Sequence, residues 1–476
     1  MNQKIQKIHH ASMKILGDVG IKIHHGEILD LLNDQGIQIS NQIARFSEDQ
    51  IREWLSHTPH QFKLHARNPI HHLTFGGDNY VYAAGYGCPD IIKANGDRRN
   101  AQLSDFTKFI KLVQNSNFIN LAGGIVVQPS DIPSEISSLA MLYSTMLHSD
   151  KCLMGIPGEK KEVQQLMNLT ALLMGGMDEL KANPAIITLI STLSPLQLDK
   201  NALDSILVCA QHNQAMIVSP GPIAGATAPI SLAGAIALGN AEAIATIVIA
   251  QIITPGVPVI YGLQATALDM QTGYSNVATP AFSLGAKYCA ELARFYNLPS
   301  RGGGANTDAK NVSTQSGYES MLALLNARQQ SINLIVHSAG ILDSYLAMSF
   351  EQFIVDQEMI SMVEYLFKDI EVNDESLSLD IIKEVGHGGQ FLNHPDTFKK
   401  CRTEPWFPEI SIRGSLGEAK QEQKFFEKIE AKLHNEYTRY QKPDIDPEIN
   451  QQLIEYLQKC GVPSALLTLL NSDGMM

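Results

Sequence analysis

No two of the six cysteines, at 88, 152, 209, 289, 401 and 460, are spaced as CxxC or as another metal-binding pair, so neither a disulfide framework nor a thiolate zinc site is suggested and a reducing cytoplasm is expected. The amino terminus, Met1 to His10, lacks the apolar stretch of a signal peptide. A membrane-spanning run is also missing. The most apolar segment, Ala241 to Ile253, is broken by Glu242 and Gln251 and reads as a buried helix that packs closely through Gly234, Gly239 and Ala243. Positive charge is scarce: 36 Lys and Arg against 49 Asp and Glu leave a formal charge of −13, which disfavours nucleic acid and mildly favours cationic ligands. No early GxGxxG with a downstream acidic residue supports dinucleotide binding, and no repeat or low-complexity tract is found.

What is present is a globular composition. With 44% hydrophobic and 18% charged residues, 476 residues allow two or three domains around a large core. Residues 1–100 differ in texture from the rest. Two short helical patterns precede Ser47-Glu48-Asp49-Gln50, a capping box opening a third, and then come short alternating strands at Phe62–His65, His72–Phe75 and Tyr80–Ala83, separated by turn residues. They read as a small α+β cap, expected away from the amino-terminal face of whatever it covers.

From residue 101 the rhythm changes to brief apolar runs followed by helical segments, at spacings of roughly thirty to forty residues, the order of β/α units. The runs are Leu121–Val127, Cys152–Ile156, Ala185–Ile190, Ala215–Val218, Pro258–Tyr261, Arg301–Gly303, Leu334–His337 and Leu346–Phe350. Eight such units imply a (β/α)8 TIM barrel over residues 101–416, with an open doubly wound sheet as the alternative; residues 417–476 read as a helical extension, with Lys442-Pro443-Asp444 as a linker.

Barrel chemistry sits just after the strands. The densest such segment is Arg301-Gly302-Gly303-Gly304-Ala305-Asn306-Thr307-Asp308-Ala309-Lys310, followed by Gln315-Ser316-Gly317-Tyr318-Glu319, where glycines allow close backbone approach and Asn306, Thr307 and Asp308 offer polar groups; read alone, it could equally be a flexible turn. The strand ends are rich in hydroxyl and amide groups and poor in paired carboxylates, which argues against a glycosidase and against metal-assisted hydrolysis. The pairs His9-His10, His24-His25 and His71-His72 point apart on a helix or strand and make poor chelates. His337 ends an apolar strand and reads equally as a core histidine or a ligand contact. His387 opens a glycine-rich loop. Tyr82, Tyr86, Tyr261, Tyr345 and Phe391 lie near expected loops; singly each reads as core, and together they make a cation site.

In order along the chain, Gly87-Cys88-Pro89-Asp90, Asn95-Gly96-Asp97-Arg98-Arg99, Gly225-Ala226-Thr227-Ala228-Pro229, Pro255-Gly256-Val257-Pro258, Gly302 to Lys310, Gly317-Tyr318-Glu319, His387-Gly388-Gly389 and Glu404-Pro405-Trp406-Phe407-Pro408 resemble the trimethylamine methyltransferase family. The resemblance implies a (β/α)8 fold and transfer of a methyl group from an amine to Co(I) of a cognate corrinoid protein. The partner would supply the corrinoid (methylcobalamin once charged), with no cofactor or metal bound permanently and no catalytic acid or base. Founding members carry pyrrolysine in a segment similar to Ile341–Phe350, where this chain has Ser344. A non-pyrrolysine member is thus implied, acting on a small quaternary amine such as glycine betaine and giving dimethylglycine. Thr279-Pro280-Ala281 departs from the family, many members having glutamate at Ala281.

On this reading the expected substrate contacts are Tyr82, Tyr86, Gln251, Asn306, Thr307, Asp308, Gln315, His337, Ser344, Tyr345, His387 and Phe391. A homo-oligomer is expected, with neither nucleic acid nor membrane as partner. Two rivals stay open: a non-catalytic quaternary-amine binder, and a Schiff-base lyase using Lys287 or Lys310.

Overall fold

A computed structural model of the chain describes residues 3–93, 95–414 and 421–472. Eight parallel strands close into a barrel: β1 (Val81–Ala83), β2 (Ile119–Gly123), β3 (Cys152–Met154), β4 (Ile186–Ile190), β5 (Ala215–Val218), β6 (Val259–Gly262), β7 (Ser300–Gly303) and β8 (Leu334–Val336). Each is followed by a helix: α1 (Leu103–Asn115), α2 (Ser134–His148), α3 (Lys160–Met174), α4 (Lys200–Gln211), α5 (Leu232–Ile253), α6 (Pro280–Phe295), α7 (Thr314–Gln329) and α8 (Phe350–Phe367). Strand neighbours follow chain order around the ring, and β8 closes on β1 through Leu334 opposite Val81 and Ile335 opposite Tyr82.

The fold class is the expected one, but the strand assignment is corrected at two points. Val81–Ala83, read as part of the cap, is the first barrel strand, so the barrel begins about twenty residues before the expected boundary. The run Leu346–Phe350 contributes no barrel strand; Ala347–Met348 joins a four-stranded sheet with Ile341–Leu342, Asp90–Ile92 and Arg98–Asn100. Tyr80–Ala83 alternates like the two strands before it and follows them at turn spacing, which grouped it with the cap, and a short apolar run beyond β8 mimicked the missing unit.

The cap is corrected as well. Phe62–Leu64 and Leu73–Phe75 form a hairpin whose Phe62 and Phe75 rings stack at 5.2 Å. These residues pack with Val81, Leu121, Met154 and Ile217 from the inside of the barrel. His65 N donates to Pro184 O and Asn68 N to Asp150 O, both just ahead of strands, so the hairpin plugs the amino-terminal face. Residues 3–55 pack instead along the outside. Ile21–Ile23 pairs with Gln197–Leu198 in the loop after β4, and helices Gln3–Lys14 and Glu48–Leu55 lie on α5. The expected capping box at Ser47 and Gln50 is present.

Strand phase sorts the barrel residues. Ala215, Ile217, Ile260, Leu334 and Val336 face the interior with the plug, whereas Tyr82, Met216, Val218 and Tyr261 face the helices. Helix α5 is apolar enough to cross a membrane by composition, yet it lies almost wholly buried in the barrel wall. Its polar residues are each paired. Asn240 meets Tyr261 Oη at 2.7 Å, Glu242 accepts from Thr192, Ser194 and Leu196, and Gln251 bonds Val257 O and Gly256 N. Beyond the barrel, helices Gln421–Thr438, Pro447–Lys459 and Ser464–Asn471 complete the described chain; the expected boundary at residues 416–417 falls outside the described residues.

Candidate active site

At the carboxyl ends of the strands, three loops are tied by one carboxylate. Asp308, after β7, accepts from Val277 N at 3.0 Å and Ala278 N at 3.3 Å in the loop after β6, and from Ser344 Oγ at 2.7 Å in the loop after β8. Its own loop is pinned from α7, where Glu319 accepts from Thr307 Oγ1 at 2.6 Å and from Asp308 N at 2.9 Å. The triple glycine serves packing rather than unusual backbone angles. A Cβ on Gly303 would lie 2.2 Å from Asn306 Nδ2, and only glycine lets that side chain fold back beneath the loop.

The loop after β8 carries the backbone strain. Asp343, Ser344 and Tyr345 form one left-handed turn with φ of 52°, 54° and 73°, and His337 has φ 62°. Non-glycine residues in this region cost roughly 1–3 kcal/mol each and persist only where the surroundings impose them. Here the Asp343 carboxylate is clamped by Arg98 at 2.6 Å and by Lys310, while Ser344 N donates to Thr307 O. The turn holds the Tyr345 ring against His337, centroids 4.4 Å apart. Gln264 Nε2 is 3.5 Å from Tyr345 Oη.

Several buried polar atoms at this end have no partner among the described residues: Tyr86 Oη, both side-chain polar atoms of Asn306, His337 Nδ1 and Arg301 Nε. Buried polar groups are nearly always satisfied, and each left open costs about 1–3 kcal/mol, so a cluster of them at the end of a barrel is a candidate ligand site. Burial, with the Arg301 charge adding to it, holds the His337 imidazole well below its ordinary pKa, so it is neutral at pH 7. Burial also raises the Tyr86 and Tyr345 phenols, which stay protonated. Arg301 is pulled down to about 10 by burial and remains the cation of the site. Neutral donors, aromatic faces and one deep cation suit binding and orientation rather than proton transfer.

The structure brings Tyr86, Asn306, Asp308, His337, Ser344 and Tyr345 to this mouth, with Thr307 bonded into its wall. Other expected contacts lie elsewhere. Tyr82 faces outward and donates to Glu364 at 2.5 Å, because its strand phase is opposite to the interior set. Gln251 caps the far end of α5, and Gln315 is exposed, bonded to Glu319. His387 and Phe391 are exposed on a segment beyond α8, whose return stretch bonds the half of α8 far from the mouth through Tyr365 Oη to Glu404 O and Trp406 Nε1 to Ser361 Oγ. Their glycines mark a surface loop. Sequence reasoning missed Gln264, Glu319 and Arg301, although an arginine between an apolar run and three glycines was a signal, since arginine is almost never fully buried unless paired. Neither lysine of the lyase reading fits: Lys287 is exposed on α6 and Lys310 is committed to Asp343.

Comparisons with known proteins bear on the family and the fold. The family described as "Trimethylamine methyltransferase (MTTB)" matches residues 1–461. A glycine betaine methyltransferase of Desulfitobacterium hafniense (strain Y51) is 37% identical over 459 residues, 96% of each chain. A proline betaine:corrinoid methyltransferase of Eubacterium limosum is 26% identical, covering 86% of each. Among solved structures, a hydroxylamine complex of MtmB superposes with a TM-score of 0.53 over 91% of this chain and 87% of that one, at 12% identity, a likeness of fold. With a family match along nearly its whole length and a relative more than a third identical end to end, the chain belongs to the trimethylamine methyltransferase (MTTB) family.

Proposed function

We propose that this protein is a corrinoid-dependent methyltransferase that takes one methyl group from a small quaternary amine, glycine betaine in particular, and passes it to Co(I) of a partner corrinoid protein. The observation that carries the reading is the set of unpaired buried polar atoms beside the Tyr345 and Tyr86 rings at the barrel mouth. A quaternary ammonium gains about 0.5–2 kcal/mol per desolvated aromatic face, and the neutral amide, imidazole and phenols complete its surroundings without competing charge. The corrinoid contributes a nucleophilic metal that accepts the methyl group. When the C–N bond breaks, its electron pair stays on nitrogen, so the tertiary amine leaves without needing a proton; this suits a site whose histidine is neutral and whose phenols are protonated. The chain's own residues hold the ammonium and turn one methyl toward the opening.

The rim accommodates such a partner. Leu193, Ile230, Met270, Tyr274 and Leu346, from the loops after β4, β5, β6 and β8, are 38–71% exposed around the mouth, an apolar ring of the kind found at protein interfaces. On this reading the protein holds no cofactor of its own, and its six free cysteines, four of them buried, support a reducing cytoplasm.

Incubated with a cognate corrinoid protein as Co(I), the protein is expected to convert glycine betaine to dimethylglycine, followed by the change in the corrinoid spectrum. Tyr345→Ala should weaken betaine binding about thirtyfold, and Tyr345→Phe should not. Betaine binding without transfer would leave a binding protein; demethylation of trimethylamine alone would replace the substrate.

Self-association through the opposite side of the barrel is part of the same proposal. Residues 369–408 leave α8 and return, and their helices Leu379–Val385 and Pro395–Lys400 bury none of their residues. Ile370, Val372, Leu377, Leu392, Phe398 and Phe407 are 49–83% exposed, on the order of 800 Å² of apolar surface, which is what one partner gives to a stable interface. Beside this arm, Met321, Leu325, Met362, Leu366 and Trp406 line an apolar groove of about 400 Å³. A protruding and a hollow apolar element side by side suit two-fold pairing of identical chains, and the corrinoid protein is needed at the other end. Sedimentation should find an oligomer that Leu392→Asp with Phe398→Asp reduces to monomers; a monomeric parent protein would exclude this contact.

A further inference from the structure

The least explained group in the molecule is Arg301. It lies on β7 pointing into the barrel, 1% exposed. Its Nη1 donates to Ser219 Oγ at 3.1 Å, its Nε has no partner, and no carboxylate pairs with it among the described residues. Room is made for it by Gly262 on the neighbouring strand, where a Cβ would stand 3.3 Å from Arg301 Cδ and 2.7 Å from Val218 O. A guanidinium stripped of water and left without a counter-charge is among the most unfavourable arrangements a fold can hold, so its retention calls for an anion that arrives with the ligand.

We propose that Arg301 is the receptor for a substrate carboxylate, and that this ion pair makes the site specific for carboxylated quaternary amines and sets which end faces the opening. The inference rests on the amine-methyltransferase reading and deepens it. A carboxylate fits better than a phosphate because the other mouth cations, Arg98 and Lys310, are committed to Asp343, leaving a single positive charge for a single negative one. The planar guanidinium fork also matches a carboxylate in two-point contact.

Depth sets the direction. Arg301 is on the strand itself, whereas Tyr86, Asn306 and Tyr345 come from loops beyond the strand ends. A ligand whose carboxylate sits on Arg301 therefore has its ammonium toward the aromatic rings, with its methyl groups toward the mouth where a partner can reach them. An amine without a carboxylate would leave the guanidinium buried and unpaired, and that penalty is the source of discrimination.

The test compares glycine betaine with choline, which keeps the trimethylammonium and replaces the carboxylate by an alcohol, using calorimetry on the full chain. The parent protein should prefer betaine by about a hundredfold or more, the range lost when one member of a buried charge pair is removed. Arg301→Met should erase that preference by weakening betaine alone. Its unliganded form should melt several degrees higher, since a buried unpaired charge has been deleted, an outcome a merely structural arginine would not give. Arg301→Lys keeps the charge without the fork and should recover only part of the preference. Equal binding of betaine and choline by the parent protein would overturn the proposal even if Arg301→Met failed to fold, as would an Arg301→Met protein that still preferred betaine. If the parent protein bound neither amine, the substrate reading itself would fall.

Discussion

Asp308→Ala is expected to lower kcat/KM for methyl transfer from glycine betaine by about a thousandfold while leaving a folded barrel, because misplacing a reacting group by an ångström already costs on the order of a hundredfold. The carboxylate acts by joining the loops after β6, β7 and β8 through Val277 N, Ala278 N and Ser344 Oγ. Without it the left-handed turn that presents Tyr345 loses its link to the β7 loop, and the freed strain of three non-glycine residues at positive φ favours a relaxed conformation. Betaine affinity and turnover should therefore fall together. Asp308→Asn, which keeps one acceptor oxygen, should lie between the two. Parent-like kinetics for Asp308→Ala, measured by the corrinoid spectral change, would mean that the loops hold their positions without this tie.

Phe75→Ala is expected to destabilise the protein by about 3–5 kcal/mol, the usual cost of emptying a buried aromatic site. Phe75 is fully buried, stacks on Phe62, and closes the amino-terminal face of the barrel against the interior residues of the strands. The activity of each folded molecule should be unchanged, because the plug lies at the end opposite the mouth. Thermal melts and urea titrations read the first effect, and active-site-normalised turnover reads the second. A normal melt with impaired turnover would contradict the assignment of the two ends.

The two substitutions divide the barrel into a catalytic and a stabilising end, and the sequence anticipated only the first. Residues following Arg301–Gly303 and Leu334–His337 were readable as mouth residues, since a strand that ends in polar, glycine-rich sequence leaves its chemistry at the carboxyl end. The hairpin Phe62–Phe75 gave no comparable signal. Its short strands alternate as any edge hairpin does, and only packing against Val81, Leu121 and Met154 shows which face it covers. Tyr82 and Tyr86 make the same point at residue level. Four positions apart and both aromatic, one is locked to Glu364 outside the barrel and the other ends inside it with its hydroxyl unpaired among the described residues.

The sequence by itself determined the barrel, through seven of its eight strands, because parallel strands buried on both faces read as contiguous apolar runs at a regular spacing. It also placed Asn306, Asp308, His337, Ser344 and Tyr345 near one another, as products of adjacent strand ends. Tertiary structure alone decided which side of each strand faces inward, since a run that is apolar on both faces carries no phase. It alone left Arg301 without a paired carboxylate among the described residues, a property of all the surrounding elements and not of the residues beside it in the chain. It also sent His387 and Phe391 to the far side: glycines say that a loop turns, but the end at which it turns is fixed by the direction of α8, which carries the chain away from the mouth before that loop begins.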